Sequence, residues 1–138
     1  MNGAEIVVMG CLVVLSIMDL RTRKVPLIPV ILLGIVAVVY RLWNGGPWTA
    51  MILGMIPGLV LLVLAFCTRE SIGYGDGVVL CALGLFCGVK KAIAVLGMAF
   101  LLAAILAMVL LVLKKAGRKT ELPFLPCLCS GYLLCFVW

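Results

Sequence analysis

Six stretches of nearly uninterrupted apolar sequence follow one another along the chain, divided by short polar or charged breaks. The first runs from about Ala4 to Met18 and stops at Asp19. The second runs from Leu27 to Trp43 and the third from Thr49 to Cys67. The fourth follows Asp76 and reaches about Val89. The fifth runs from Ala92 to Leu113 and the sixth from Pro123 to Trp138. A spanning helix needs about 20 apolar residues, with a range of roughly 17 to 25. Segments two, three and five meet that length. Segments one, four and six are shorter. Met1 to Glu5 can extend the first and Ile72 to Gly77 the fourth, while the sixth can span only in part. Short segments imply local bilayer thinning or helices buried inside the bundle. The pattern predicts an all-α membrane protein, a bundle of six transmembrane helices.

Composition sharpens that reading. Two thirds of the 138 residues are hydrophobic (67%) and 12% are charged. Mean hydropathy is +1.39. A soluble domain of this size has too little interior to hide so much apolar surface. The length suits one compact bundle, so residues 1–138 are expected to form a single integral-membrane domain.

The formal net charge is +6. Its Lys and Arg sit in short clusters between apolar runs, which suits membrane-surface loops better than a nucleic-acid groove. No nucleic-acid partner is expected; the expected surroundings are the lipid bilayer. One set of breaks collects Arg21, Arg23, Lys24, Arg69, Lys114, Lys115, Arg118 and Lys119. The other collects Arg41, Lys90 and Lys91. With six crossings, the bias places the larger set in the cytoplasm and both termini outside. The break Asn44-Gly45-Gly46-Pro47 reads as a tight outer turn, flanked by Trp43 and Trp48 as interface anchors. Gly54-x-x-x-Gly58 and Gly84-x-x-x-Gly88 read as close helix-packing faces, and Pro57 as a kink in the third helix.

Seven cysteines occur: Cys11, Cys67, Cys81, Cys87, Cys127, Cys129 and Cys135. An odd number, mostly inside apolar runs, reads as small packing residues rather than a disulfide framework. There is no histidine and no Cys-x-x-Cys pair, so neither a zinc site nor a cofactor is expected. The N-terminus carries Glu5 in place of a basic stretch, and does not read as a cleaved signal peptide.

The candidate chemistry lies in the acids: Glu5, Asp19, Glu70, Asp76 and Glu121. Acids at a membrane edge are costly and usually functional. Asp19 and Asp76 each abut an apolar run on the expected cytoplasmic side. Asp19 follows the C-terminal end of the first helix, where an isolated Asp reads first as an ion pair with Arg21, Arg23 or Lys24. Asp76 lies in Gly73-Tyr74-Gly75-Asp76-Gly77. Glycines there permit close backbone approach and unusual dihedrals, and an Asp before an apolar run also reads as an N-cap. Two carboxylates brought within a few ångströms cannot both ionise easily. The charged one can take a proton from water while the neutral one donates to a carbonyl, with no histidine, serine or metal. Helix-end dipoles suggest the anion at Asp76 and the acid at Asp19, in a pair that titrates jointly.

These residues resemble the type IV prepilin peptidases, GxGD membrane aspartic proteases. Met18-Asp19-Leu20-Arg21-Thr22-Arg23-Lys24-Val25-Pro26 is similar to the family's first aspartate loop. Gly54 to Gly58 falls where the family has a Gly-rich third helix. Gly73-Tyr74-Gly75-Asp76, then Leu83-Gly84, is similar to the second aspartate motif. Leu122-Pro123-Phe124-Leu125-Pro126 is similar to the Pro-Phe-x-Pro turn that opens the last helix. The resemblance implies catalytic Asp19 and Asp76, supported by Gly73, Gly75, Pro26, Pro123, Phe124 and Pro126. It implies an aspartic endopeptidase of the cytoplasmic (inner) membrane, multi-pass, with its active site facing the cytoplasm. The substrate would be a prepilin or pseudopilin, losing a short basic leader after a glycine.

The sequence departs from that pattern at Leu27, where many members have Asn, at Val78, where many have Lys, and at Leu125, where Gly is usual. Nothing matches the paired Cys-x-x-Cys motifs of the larger bifunctional members, so peptidase activity without N-methyltransferase activity is expected. Presenilin-like proteases share Gly-x-Gly-Asp but usually show Tyr-Asp and Pro-Ala-Leu; Met18-Asp19 stands here and Pro-Ala-Leu is missing. A different class of function uses the same two acids: a non-catalytic membrane subunit or small transporter holding them as ion-pair or proton sites. Neighbouring carboxylates at a cytoplasmic cleft favour the protease, and separated acids each satisfied by an Arg favour the subunit.

Overall fold

The computed structural model describes residues 2–22, 27–68, 74–113 and 124–137. They form six α-helices: α1 (Gly3–Thr22), α2 (Leu27–Trp43), α3 (Trp48–Cys67), α4 (Tyr74–Cys87), α5 (Val89–Val112) and α6 (Phe124–Val137). No strand occurs among the described residues.

Local chemistry accounts for several helix ends. Glu5 Oε2 accepts the Asn2 backbone N–H at 2.7 Å, half of a capping box that satisfies a donor at the start of α1. At the end of α2, the Gly46 N–H reaches the Arg41 carbonyl and the Gly45 N–H the Leu42 carbonyl. Gly45 has φ +62°, a conformation that suits glycine, and the pair of bonds is a Schellman closure. A single residue, Gly88 at φ +82°, separates α4 from α5.

The first helix does not stop at Asp19. It continues to Thr22 with Arg21 in its last turn, where a cation meets the negative end of the helix dipole. The Thr22 hydroxyl donates to the Met18 carbonyl at 2.8 Å. That extension makes α1 20 residues long. Three helices, α1, α3 and α5, are thus long and apolar enough to cross a membrane, whereas α2, α4 and α6 are shorter apolar helices. The second segment falls just short because the Gly45–Gly46 turn ends it at Trp43.

Close contacts set the topology. Gly54 lies against Gly84, Gly58 against Cys81 and Gly77 against Leu62, so α3 and α4 are antiparallel. Gly131 meets Val95 and Ala99, and the Phe100 and Phe124 rings lie 5.4 Å apart, so α5 and α6 are antiparallel too. The Tyr40 ring lies 4.7 Å from that of Phe86, which sets the ends of α2 and α4 side by side. α4 packs against α2, α3 and α5, while α6 packs against α5 and α1.

α4 is the most enclosed helix, with Val79, Leu80, Ala82 and Leu83 all in the core. It is 14 residues long and packs against three other helices, and α6, of the same length, likewise buries Leu125, Leu128 and Tyr132. On α1, Val8, Leu12 and Leu15 face inward and are fully buried, the spacing of one helix face. The outward residues are also apolar: Ile6, Val14, Ile31, Val63 and Leu111 are exposed. A helix apolar on both faces belongs in lipid.

The expected glycine faces are real contacts. A Cβ on Gly84 would meet the Gly54 backbone and one on Gly58 would meet Cys81. Gly88 lies near Gly54 as well, and its positive φ also makes it the break between two helices. Pro57 is buried inside α3, and the helix runs through it.

Candidate active site

Asp19 and Asp76 come from helices of opposite direction. Asp19 lies in the last turns of α1 and Asp76 in the first turn of α4, so both stand at the same end of the bundle. Asp76 is buried, at 7% exposure, while Asp19 is half-buried. The two are near enough that Asp76 feels the charge of Asp19. Arg21 is exposed at the same end. Glu5, Arg41, Lys90 and Lys91 belong to the opposite end, around the starts of α1 and α5 and the end of α2.

Asp76 is not an N-cap. α4 begins at Tyr74, so Asp76 is its third residue. Gly75 and Gly77 are helical rather than unusual in backbone, but Gly77 does provide close approach. A Cβ there would lie 2.7 Å from Leu62 Cγ and 2.9 Å from its Cδ2. The small residue beside Asp76 therefore lets α4 settle onto α3.

Asp19 has a partner that no local pattern announces. The Leu125 backbone amide of α6 lies near its carboxylate. Leu125 is the second residue of α6, and amides in a first turn have no acceptor within their own helix. Asp19 thus sits at the C-terminal end of one helix and against the N-terminal end of another.

The remaining motif positions divide. Phe124 opens α6, half-buried, with its ring against Phe100. Pro126 is the third residue of α6, a place where a missing N–H breaks no intrahelical bond. Its carbonyl accepts the Ser130 hydroxyl at 2.8 Å. Gly75 is the second residue of α4. Pro26, Gly73, Pro123, Glu70 and Glu121 lie outside the described residues, as do Arg23, Lys24, Arg69, Lys114, Lys115, Arg118 and Lys119.

At the opposite end, Arg41 Nε donates to the Leu85 carbonyl at 3.2 Å, satisfying an acceptor in the last turn of α4. Lys91 Nζ lies 5.6 Å from the centre of the Phe136 ring. The sequence marks these cations only as loop charges, because nothing local pairs position 41 with position 85.

Fold and site together define a helical membrane protein with two carboxylates gathered at one end of its bundle. Comparison with known proteins names the group. The model of the type IV leader peptidase family matches residues 6–112, and the chain belongs to that family. It is also similar to a prepilin leader peptidase/N-methyltransferase of Xanthomonas campestris pv. campestris, with 31% identity over 147 residues, covering 99% of this chain and 50% of that protein. The chain spans about half the length of the curated relative it matches. No solved structure matches it. The family match contains both acids and ends before the Phe124-Leu125-Pro126 turn.

Proposed function

We propose that this chain is an aspartic endopeptidase that removes the short basic leader from type IV prepilin-like proteins, with Asp19 and Asp76 as the catalytic pair. Family membership supports the peptidase class. The observation that carries the mechanism is the pairing of a buried Asp76 with the charge of Asp19 at one end of the bundle. Two interacting carboxylates share a proton more readily than they ionise together. One carboxylate then deprotonates water as it attacks the scissile carbonyl, and the protonated partner donates to the carbonyl oxygen. The chain has no histidine, so this division of labour falls to the acids.

In this reading the 138 residues form one peptidase domain in the inner membrane, with six crossings and the carboxylate end toward the cytoplasm. Arg21, a member of the larger basic set, lies at that end, and the positive-inside bias supports a cytoplasmic placement. The substrate is a prepilin or pseudopilin whose apolar helix enters from the lipid while its leader reaches the two acids.

Coexpression with a candidate prepilin tests the proposal. The wild-type chain should convert the precursor to the shorter form, cut after a glycine. Asp19→Ala and Asp76→Ala should each leave the precursor intact, a loss of roughly a hundredfold or more in rate. Normal processing by both variants would remove the catalytic assignment and favour a subunit or carrier.

A further inference from the structure

We infer that the apolar helix of the substrate docks in a lateral groove that α2 and α3 form over α4, with Tyr74 and Val78 as its floor beside Asp76. The inference rests on the proposed function and names where that substrate is held.

The groove follows from how three helices pack. Among the described residues, α2 and α3 each pack against α4 but not along one another. The turn at residues 44–47 joins them at one end, and there Arg41 Nε of α2 holds the Leu85 carbonyl of α4 at 3.2 Å. The two helices therefore part toward the other end, where Asp19 and Asp76 stand. α4 is enclosed along most of its length, yet Tyr74 is 40% and Val78 37% exposed. They lie one turn apart on one face of α4, and half-buried Leu85 continues that face.

The order of faces around α4 places this strip between its two neighbours. Gly77, Cys81 and Gly84 meet α3, and Phe86 meets Tyr40 of α2. At about 3.6 residues per turn, Tyr74, Val78 and Leu85 point between those two directions. The walls agree. On α2, Ile31 and Gly34 share a face with Arg41; Ile31 is exposed, and a Cβ on Gly34 would meet no atom within 4 Å. On α3, Leu62 lies against Gly77 of α4, and Leu59, one turn earlier, is exposed. None of these lining residues carries a charge.

Continuity with the two acids decides the occupant. The groove opens at Tyr74, two residues before Asp76, and side chains two apart on a helix point to nearly opposite sides. The first turn of α4 thus stands between the groove and the carboxylates. A helix is about 10 Å across, and about three extended residues span that width. A substrate helix that ends at the mouth of the groove therefore delivers a bond about three residues beyond its end to Asp19 and Asp76. Its uncharged helix meets an uncharged groove, and its basic leader meets the carboxylate end. A lipid chain or a second copy of this protein could fill the groove without engaging the acids.

Photo-crosslinking of the full chain tests the inference. A benzophenone side chain is placed at Ile31 on the α2 wall, at Leu59 on the α3 wall and, as a control, at Ile105, which is exposed on α5. Each carries Asp76→Ala so that a coexpressed prepilin stays uncut. Adducts to the apolar helix of the prepilin should form from both walls and not from Ile105. In the otherwise native chain, Gly34→Leu should raise KM for the prepilin about tenfold at little change in kcat, the signature of lost uniform binding. Gly97→Leu, on α5 with equal room for a side chain, should leave KM and kcat unchanged. No prepilin adduct from either wall, equal adducts from all three positions, or adducts only to lipid or to a second copy would overturn the inference. So would a Gly34→Leu KM equal to that of Gly97→Leu. Failure of the wild-type chain to cleave any prepilin would instead count against the proposed function, and the adduct pattern would still decide whether the groove holds the helix.

Discussion

A buried acid in a bundle of apolar helices is costly unless something compensates it. Asp76 is such an acid: it is buried on α4, the helix of Val79 and Leu80, with Asp19 as a charged neighbour. Each carboxylate is therefore expected to act through the other. Asn variants at the two positions should show this as non-additivity. Asp19→Asn and Asp76→Asn should each abolish leader cleavage, and the double variant should be no slower than the slower single one. Multiplied losses in the double variant, measured by single-turnover cleavage, would mean that the acids work independently. At this scale the two acids were legible as candidates, because charged residues are scarce and both abut apolar runs. The nearness of the α6 opening turn to Asp19 was not legible, since only packing between distant helices decides it.

Contacts between helices depend on small residues where backbones come close. Gly84 and Gly54 meet backbone to backbone, whereas Gly97 has open space where its Cβ would go. Gly84→Ala should therefore destabilise the bundle by about 1–3 kcal/mol through overpacking, read as a lower unfolding midpoint in detergent. Gly97→Ala, at a helical position with room, should leave the midpoint unchanged or raise it. Equal effects from both would show that α3 and α4 are not in the contact described. Arg41 ties α2 to α4 through the Leu85 carbonyl. Losing a charged donor of this kind costs about 1.5–3 kcal/mol when the acceptor is left without a partner. Arg41→Met, which keeps the apolar stem, should lower the same midpoint. The glycine faces could be anticipated because their four-residue spacing is local. The Arg41 clamp could not, because its partner lies 44 residues away.

For the whole molecule, the decisive question is which end faces which compartment. Asp19, Arg21 and Asp76 share one end, and the Asn44–Pro47 turn belongs to the other. Cys67 closes α3 at the carboxylate end and is exposed. A membrane-impermeant maleimide should modify an Asn44→Cys variant in intact cells. It should reach Cys67 only after permeabilisation, with Cys67→Ser as the control. Modification of both positions from outside would show that α3 does not cross the bilayer and would remove the cytoplasmic assignment of the acids.

The division between what was readable and what was not follows from the range of the forces involved. Apolar runs, their breaks and the helical state they adopt in lipid are consequences of local composition, because backbone polar groups in a bilayer must be satisfied within each segment. Sequence alone therefore determined an all-helical membrane chain with six segments and a short list of acids. Helix ends were less secure where charge intervened: α1 continued past Asp19 to Thr22, whereas α2 kept its Leu27–Trp43 bounds. Only the tertiary structure decided that α4 is the enclosed helix and that the opening turn of α6 lies near Asp19. Those choices depend on which helices become neighbours, a matter of close packing between distant segments that no window of sequence contains.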